Sequence, residues 1–380
     1  MKKLVMDAFR AACARVDLAG RVRAAIGDAG PFVVIAAGKA AAAMASGVAN
    51  VERSLIVVPR GTAVVAGALE NVIEASHPLP DASSVRAAEA ALAMAACDSP
   101  HERLFLISGG ASSLLCAPCE GLTLERKRDI TSELLRSGAS IEAINVVRRH
   151  LSRVKGGGLA RACGTNERRT LVVSDVISNE LEAIGSGPSV ADPTTIDAAR
   201  RVANAHGLGA LPFVETWKNE ERAEIVATPL AFAELVAEEL VARGVIAHAS
   251  VMPAWLDAEA MADRYEKIAA ALPRGEAGVF AAEPVVRVTT ANARGGRCTH
   301  MAALMSQRLP AHAIFAAIAT DGVDGSSGTG GAIVDDSTLL GTDAAIASFA
   351  TGPFHAAGGT AIESVSTGLN FADVHVLLRT

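Results

Sequence analysis

From Pro31 to about Leu208 the chain alternates short β-branched runs with longer stretches rich in Ala, Leu, Glu and Arg. That alternation is what βαβ units on a mostly parallel sheet require, and it constrains the fold more than any single motif does. It predicts strands at Phe32–Ala36, Ser54–Val58, Asn71–Ala75, Arg103–Ile107 and Thr170–Val173. Each run ends in a polar or glycine-containing loop: Gly38-Lys39, Pro59-Arg60-Gly61, Ser76-His77-Pro78, Ser108-Gly109-Gly110 and Ser174-Asp175. Ligands of open α/β sheets bind at the carboxyl ends of the strands, so these loops are expected to share one crevice.

The spacing of apolar residues predicts amphipathic helices over Leu122–Ser137 and Ser140–Val154, closed by Gly156-Gly157-Gly158. A second α/β block begins near Val245, with strands expected near Val285–Thr289, Ile314–Ala319 and Val374–Leu378 and a helix near His300–Arg308. A length of 380 residues suits two domains. The expected fold is α/β: a Rossmann-like, mostly parallel sheet in residues 1–212 and a second, smaller α/β domain in residues 213–380.

Composition excludes several function classes. Hydrophobic residues reach 50% while aromatics are only 3%, so Ala and Gly carry much of the apolar content and favour tight helix–sheet packing over lipid contact. The most apolar stretch, Val33–Val51, is interrupted by Lys39 and falls short of a membrane span. Asp7 and Arg10 stand where a signal peptide needs its apolar core, which points to a cytoplasmic, membrane-free protein. A net charge of -6, two Trp and one Tyr make nucleic acid an unfavourable partner. The six cysteines are scattered, and Cys116-Ala-Pro-Cys119 lacks the second pair that a zinc site needs, so buried thiols are expected. A homodimer is left open.

Three features suit phosphoryl transfer, which needs donors around phosphate oxygens, a cation and a group that orients the acceptor hydroxyl. Ser108-Gly109-Gly110-Ala111-Ser112-Ser113 follows a strand and offers backbone N–H groups to an anion, although the same pattern also makes plain βα turns. Lys39 follows Gly38 at a strand end among small apolar residues, which isolates its charge. Asp175 ends the apolar run Leu171-Val172-Val173, where a carboxylate can serve as base or as a turn cap. Arg297, after Gly295-Gly296, offers a guanidinium fork to a carboxylate or phosphate. Thr320-Asp321-Gly322-Val323-Asp324-Gly325 adds two acids in a flexible turn, and His300 at a helix start suits a neutral hydrogen-bonding role. No G-x-x-x-x-G-K-[ST], no strand-following G-x-G-x-x-G and no G-x-S-x-G occurs.

These segments together resemble the type-2 glycerate kinase family, which pairs an N-terminal glycerate kinase domain with a C-terminal MOFRL domain. The resemblance rests on Ala36-Ala37-Gly38-Lys39-Ala40, Ser76-His77-Pro78-Leu79-Pro80-Asp81, Ser108-Gly109-Gly110, Asn145-Val146-Val147-Arg148-Arg149-His150-Leu151-Ser152 with Lys155-Gly156-Gly157, and Ser174-Asp175-Val176. It continues through Gly185-Ser186-Gly187-Pro188, Asp192-Pro193-Thr194-Thr195, Gly295-Gly296-Arg297 and Thr320-Asp321-Gly322, and so spans nearly the whole chain.

The resemblance implies transfer of the ATP γ-phosphate, with Mg2+, to the 2-hydroxyl of D-glycerate, giving 2-phosphoglycerate in a cleft between two domains. It implies Lys39, Asp175 and Arg297 as the catalytic set, with Gly38, Ser108, Gly109, Gly110, Ser112 and Ser113 toward the nucleotide and Arg297, Asp321 and His300 toward the acid. The alternatives are a kinase for another short sugar acid and an NAD(P)H-dependent hydroxypyruvate reductase, a label members of this family also carry. The metal ligands stay unassigned. The chain departs from the family where Cys298-Thr299-His300 replaces Asn-Gln-Glu, where Ala111 replaces a third glycine, where the run after Asp175 lacks Pro-Gly-Asp-Asp, where Gly325-Ser326-Ser327-Gly328 replaces Pro-Thr-Asp and where Ala227-Thr228-Pro229 replaces Gly-Asp-Asn.

Overall fold

The computed structural model describes residues 1–62, 71–288, 290, 292–337 and 339–380. Its contacts divide the chain into two compact units, each built from more than one stretch: Asp17–Ser174 with Asn179–Val226, and Met1–Val16 with Asp175–Ser178 and Ala227–Thr380.

The first unit carries a six-stranded sheet of β1 (Phe32–Ala37), β2 (Val51–Pro59), β3 (Val72–Ala75), β4 (Glu102–Ser108), β5 (Arg168–Val173) and β6 (Ala223–Ala227), in the order β3-β2-β1-β4-β5-β6. The pairs β1/β2, β1/β4, β2/β3 and β4/β5 are parallel. This is the doubly wound order, and its direction of winding reverses between β1 and β4, where two loops diverge and leave a crevice. Every residue of β1 is buried, as a strand covered on both faces must be. Alanines make that cover thin: Ala87, Ala88, Ala91 and Ala95 of the helix Ala82–Ala95 are fully buried. Asp81 starts this helix by accepting from Ser83 N, while Ser84 Oγ accepts from Asp81 N. The helices expected after Leu122 and Ser140 run over Leu124–Arg136 and Ile141–His150, capped by Thr123 and Ser140.

The second unit holds β7 (Ile246–Val251), β8 (Glu276–Ala282), β9 (Ala313–Ala319), β10 (Gly331–Asp335), β11 (Ala361–Ile362) and β12 (Asp373–Arg379), in the order β11-β10-β9-β12-β8-β7. Only β7/β8 is parallel; the other pairs are antiparallel. Tyr265 sits in its core with ring centroids 5.1 Å from Phe280 and from Phe315, its hydroxyl 2.9 Å from His375 Nδ1. The N-terminal helix Lys2–Arg15 packs on the helix Pro229–Val241 through Phe9 and Phe232, and Arg15 pairs with Glu238 and Glu239. The strand expected near Val285–Thr289 lies earlier, at β8; residues 285–288 make only an isolated bridge at Val285, and Thr289 falls outside the described residues. Glu276-Ala277-Gly278 hid the start of β8, because those residues carry little β propensity. No described helix is long and apolar enough to cross a membrane, and all six cysteines are free.

One buried charge ties the first sheet to its neighbouring helix. Arg103, on β4, is fully buried and donates to the carbonyls of Ala95, Cys97, Ser99 and His101, the end of the helix Ala82–Ala95 and the turn after it. Arg103→Met leaves four acceptors without their donor, and is expected to cost about 3–5 kcal/mol. Urea unfolding measures this; a midpoint unchanged from wild type contradicts it.

Candidate active site

The first unit holds seven of the expected residues, gathered at the ends of β1 and β4 where its sheet reverses. Gly38, at the end of β1, has φ +131°, and a Cβ there would fall 2.1 Å from Ser108 Oγ and 2.5 Å from Ser108 O. Only glycine therefore lets the β1 and β4 loops close on each other. Ala40 N donates to Ser108 Oγ at 3.0 Å and Lys39 N to Gly109 O at 2.9 Å, so the two loops are stitched through backbone groups. A Cβ on Gly110 would meet His77 and Lys39 Cγ at 3.2–3.3 Å, which places the Lys39 stem and the His77 ring against the glycine turn. Gly38, Lys39, Ser108, Gly109 and Gly110 thus stand together. The helix opened by this loop is short, Ala111–Leu114. Ser113 Oγ turns back to Gly110 O, whereas Ser112 Oγ meets Ser186 Oγ at 3.0 Å and accepts from Lys155 Nζ and from Arg148.

The second unit holds the other four, Asp175, Arg297, His300 and Asp321. Asp175 belongs to it, and Asn370 Nδ2 donates to Asp175 Oδ2 at 2.9 Å. Arg297 opens the helix Arg297–Ser306 and donates from Nη1 to Glu283 at 2.9 Å and from Nε to Asp373 at 3.0 Å. The helix start is fixed by Asp324, which accepts from Cys298 N, Thr299 N and Thr299 Oγ1 at 2.7–2.9 Å. A Cβ on Gly296 would fall 2.1 Å from Asp324 Oδ1, so Gly295-Gly296 admits the capping carboxylate. Of the two acids in the Thr320–Gly325 turn, Asp324 is therefore a buried cap, while Asp321 accepts from Val323 N in a half-buried bend. His300 is buried with its ring centroid 5.0 Å from Phe349 and its Nδ1 without a hydrogen-bond partner; burial lowers its pKa, which keeps the ring neutral.

Three residues of this site escape a sequence reading: Glu283, Asn370 and Asp373. The register explains their convergence. β12 runs antiparallel to both β8 and β9, so Asp373 at its start pairs with Ala282 and Ala319 at their carboxyl ends. Glu283 directly follows β8, and an acid after a strand end would have been the signal had β8 been recognised. Cys298, Asp373 and His375 also place ligand-type atoms within 4.8 Å of one another. Asp373 is taken by Arg297 and His375 Nδ1 by the Tyr265 hydroxyl, so this cluster acts as an internal network.

Burial raises the Glu283 carboxyl to about 7 against the opposing Arg297 charge, with Asp373 and Asp175 adding to the rise. A carboxyl raised in the folded state holds its proton where the unfolded chain has lost it, so stability falls as pH rises from 4.5 to about 7. His355 and His375, lowered by burial to about 4, act in the opposite direction, adding stability as pH rises from about 4 to 6.5. Glu283→Gln removes the falling component and leaves the slope of the histidines and the other titrating groups. Wild type should lose stability relative to this variant across pH 4.5–7 in urea titrations; a pH-independent difference between the two refutes the assignment.

Residues 3–215 match a domain of unknown function, DUF4147, and residues 277–373 match the MOFRL family. A glycerate 2-kinase of Pyrococcus horikoshii is 33% identical over 81% of this chain and 77% of its own. A putative hydroxypyruvate reductase of Agrobacterium vitis is 38% identical over 82% of this chain and 77% of its own. The crystal structure of a glycerate kinase from Thermotoga maritima superposes with a TM-score of 0.85 at 26% identity, covering 100% of this chain and 99% of that one.

Proposed function

We propose, for a chain that belongs to the type-2 glycerate kinase family with its DUF4147 and MOFRL domains, that it transfers the γ-phosphate of ATP to D-glycerate or a closely related hydroxy acid. The observation that carries this reading is the placement of Lys39 against the Gly109-Gly110 turn at the reversal point of the parallel sheet. An ammonium and backbone donors at such a point suit a nucleotide's phosphates.

In this mechanism Lys39 and the Ser108–Ser113 loop hold phosphate charge. The acid's 2-hydroxyl oxygen attacks the γ-phosphorus, the bond to the ADP oxygen breaks, and Asp175, oriented by Asn370, takes or directs the hydroxyl proton. Arg297 meets the acid's carboxylate, and its fork is aimed by Glu283 and Asp373. Mg2+ takes oxygen ligands and needs only one or two carboxylates beside the phosphates. Asp175, whose carboxylate accepts from Asn370, would supply such an oxygen. When bound, the ion neutralises charge on the transferring group.

A coupled ADP-release assay across glycerate, hydroxypyruvate, erythronate and threonate tests the reading, with NADH oxidation on hydroxypyruvate as the reductase control. Lys39→Ala should lower kcat by about 100-fold or more with the fold retained, since the cation acts chiefly in the transition state. Asp175→Asn should abolish turnover while nucleotide still binds, because the amide keeps the shape but cannot take a proton. Glycerol should be a poor acceptor, as it leaves Arg297 without its carboxylate. Wild-type turnover in a folded Lys39→Ala variant, or NADH oxidation without ADP release, overturns the proposal.

A further inference from the structure

Three sequence segments with no role in the scheme above meet at one hydroxyl. Ser112 Oγ accepts from Arg148 of the helix Ile141–His150 and from Lys155 Nζ at 3.0 Å, and touches Ser186 Oγ at 3.0 Å. Lys127 stands close by, donating to the carbonyls of Arg148 and Leu151. The neighbouring Arg149 is already paired, with Asp192 at 3.0 Å. None of Lys127, Arg148 and Lys155 forms an ion pair with a carboxylate among the described residues, although each is bonded to neutral acceptors.

Three cations at such close quarters with no anion are an unfavourable arrangement in a protein interior. Burial, with Arg148 and Lys127 adding, pulls the Lys155 ammonium well below the usual lysine range, and burial brings Lys127 down to about 8. Lys155 and Ser186 are buried, whereas Arg148 and Ser112 keep part of their surface exposed at the edge of the cluster, although burial also lowers the pKa of the Arg148 guanidinium. The donors differ in kind: a planar fork, an ammonium and two hydroxyls, a set that suits a tetrahedral oxyanion.

We infer that Arg148 and Lys155, with the hydroxyls of Ser112 and Ser186, form a binding site for a phosphate-type oxyanion beside the Ser108–Ser113 loop. The identity of that oxyanion as a nucleotide phosphate rests on the kinase reading; the oxyanion site itself does not. On binding, the anion displaces the Arg148 and Lys155 bonds at Ser112 in part and neutralises the cation cluster. Arg148 is therefore a binding residue, and Lys127 acts behind it by adding positive potential.

Inorganic phosphate titrated into the full chain, read by calorimetry and by Tm, tests this without any turnover. Phosphate should raise the Tm of wild type, because a ligand bound only to the folded state stabilises it. Arg148→Met should weaken phosphate binding about tenfold or more, and Ser112→Ala several-fold, while Arg148→Met in phosphate-free buffer loses little or no stability. If Arg148→Met fails to fold, Arg148→Gln and Ser112→Ala decide the same question. Weaker ADP binding with D-glycerate binding unchanged identifies the anion as a nucleotide phosphate; the reverse identifies a carboxylate, and overturns the phosphate assignment. Unaltered phosphate affinity in these variants, or no phosphate binding by wild type, overturns the site. A chain that loses phosphate binding in Arg148→Met yet turns over no ATP keeps the oxyanion site and sinks the kinase reading instead.

Discussion

The contact of Gly38 with Ser108 is the constraint from which the first unit's site follows. Two parallel strands, β1 and β4, end side by side, and their loops must turn away in opposite directions at the point where the winding reverses. A side chain at Gly38 would overlap the Ser108 backbone, so the loops can be joined by Lys39 N to Gly109 O and Ala40 N to Ser108 Oγ only if that position is glycine. The root of Lys39 and the backbone of the Gly109-Gly110 turn are thereby fixed against each other. Donors fixed in this way present themselves to an anion without reorganising.

The second unit reaches the same end by a different route. Its strands are mostly antiparallel, and β12 enters between β8 and β9 against their direction. Residues from a strand's beginning therefore lie beside residues from two strands' ends, and Asp373 comes to face Glu283 across Arg297. Two carboxylates grip one guanidinium from different sides, so its planar fork has little freedom left. The capping carboxylate of Asp324 holds the backbone of the same helix turn. Arg297 is thus aimed by charge at its side chain and by hydrogen bonding at its root.

What the sequence made legible tracks how each strand meets its surroundings. β1 and the inner residues of β2, β4 and β5 are buried and read as apolar runs, and the loops after them could be named with their residues. β7, Ile246-Ala247-His248-Ala249-Ser250-Val251, is largely exposed, while β8 opens on Glu276-Ala277-Gly278 and β10 on Gly331, so the apolar run that marks a strand is broken or short at each. Lys39 and Arg297 stood out because each follows glycine. Glu283, Asn370 and Asp373 did not, since their convergence depends on antiparallel register, which leaves no local mark. The cation cluster around Ser112 was visible only as separate motifs, because Arg148, Lys155 and Ser186 are brought together by the packing of helices and turns.

The departure at Cys298-Thr299-His300 acquires a physical meaning from these contacts. All three side chains are buried. Thr299 Oγ1 bonds Asp324 and Thr351, and the His300 ring lies on Phe349. Burial, then the charges of Asp373 and Asp324, raise the Cys298 thiol far above its ordinary value, so it stays protonated and serves Asp373 as a donor. The contacts to Asp324 and Asp373 end on residues that hold Arg297 or the start of its helix. An amide at the position of Cys298 would offer Asp373 a stronger donor than a thiol and would compete with Arg297 for the same carboxylate. A weak thiol donor leaves Asp373 more fully engaged with the guanidinium. The substitution therefore acts through the electrostatics of one carboxylate, and its first effect falls on how firmly Arg297 is held.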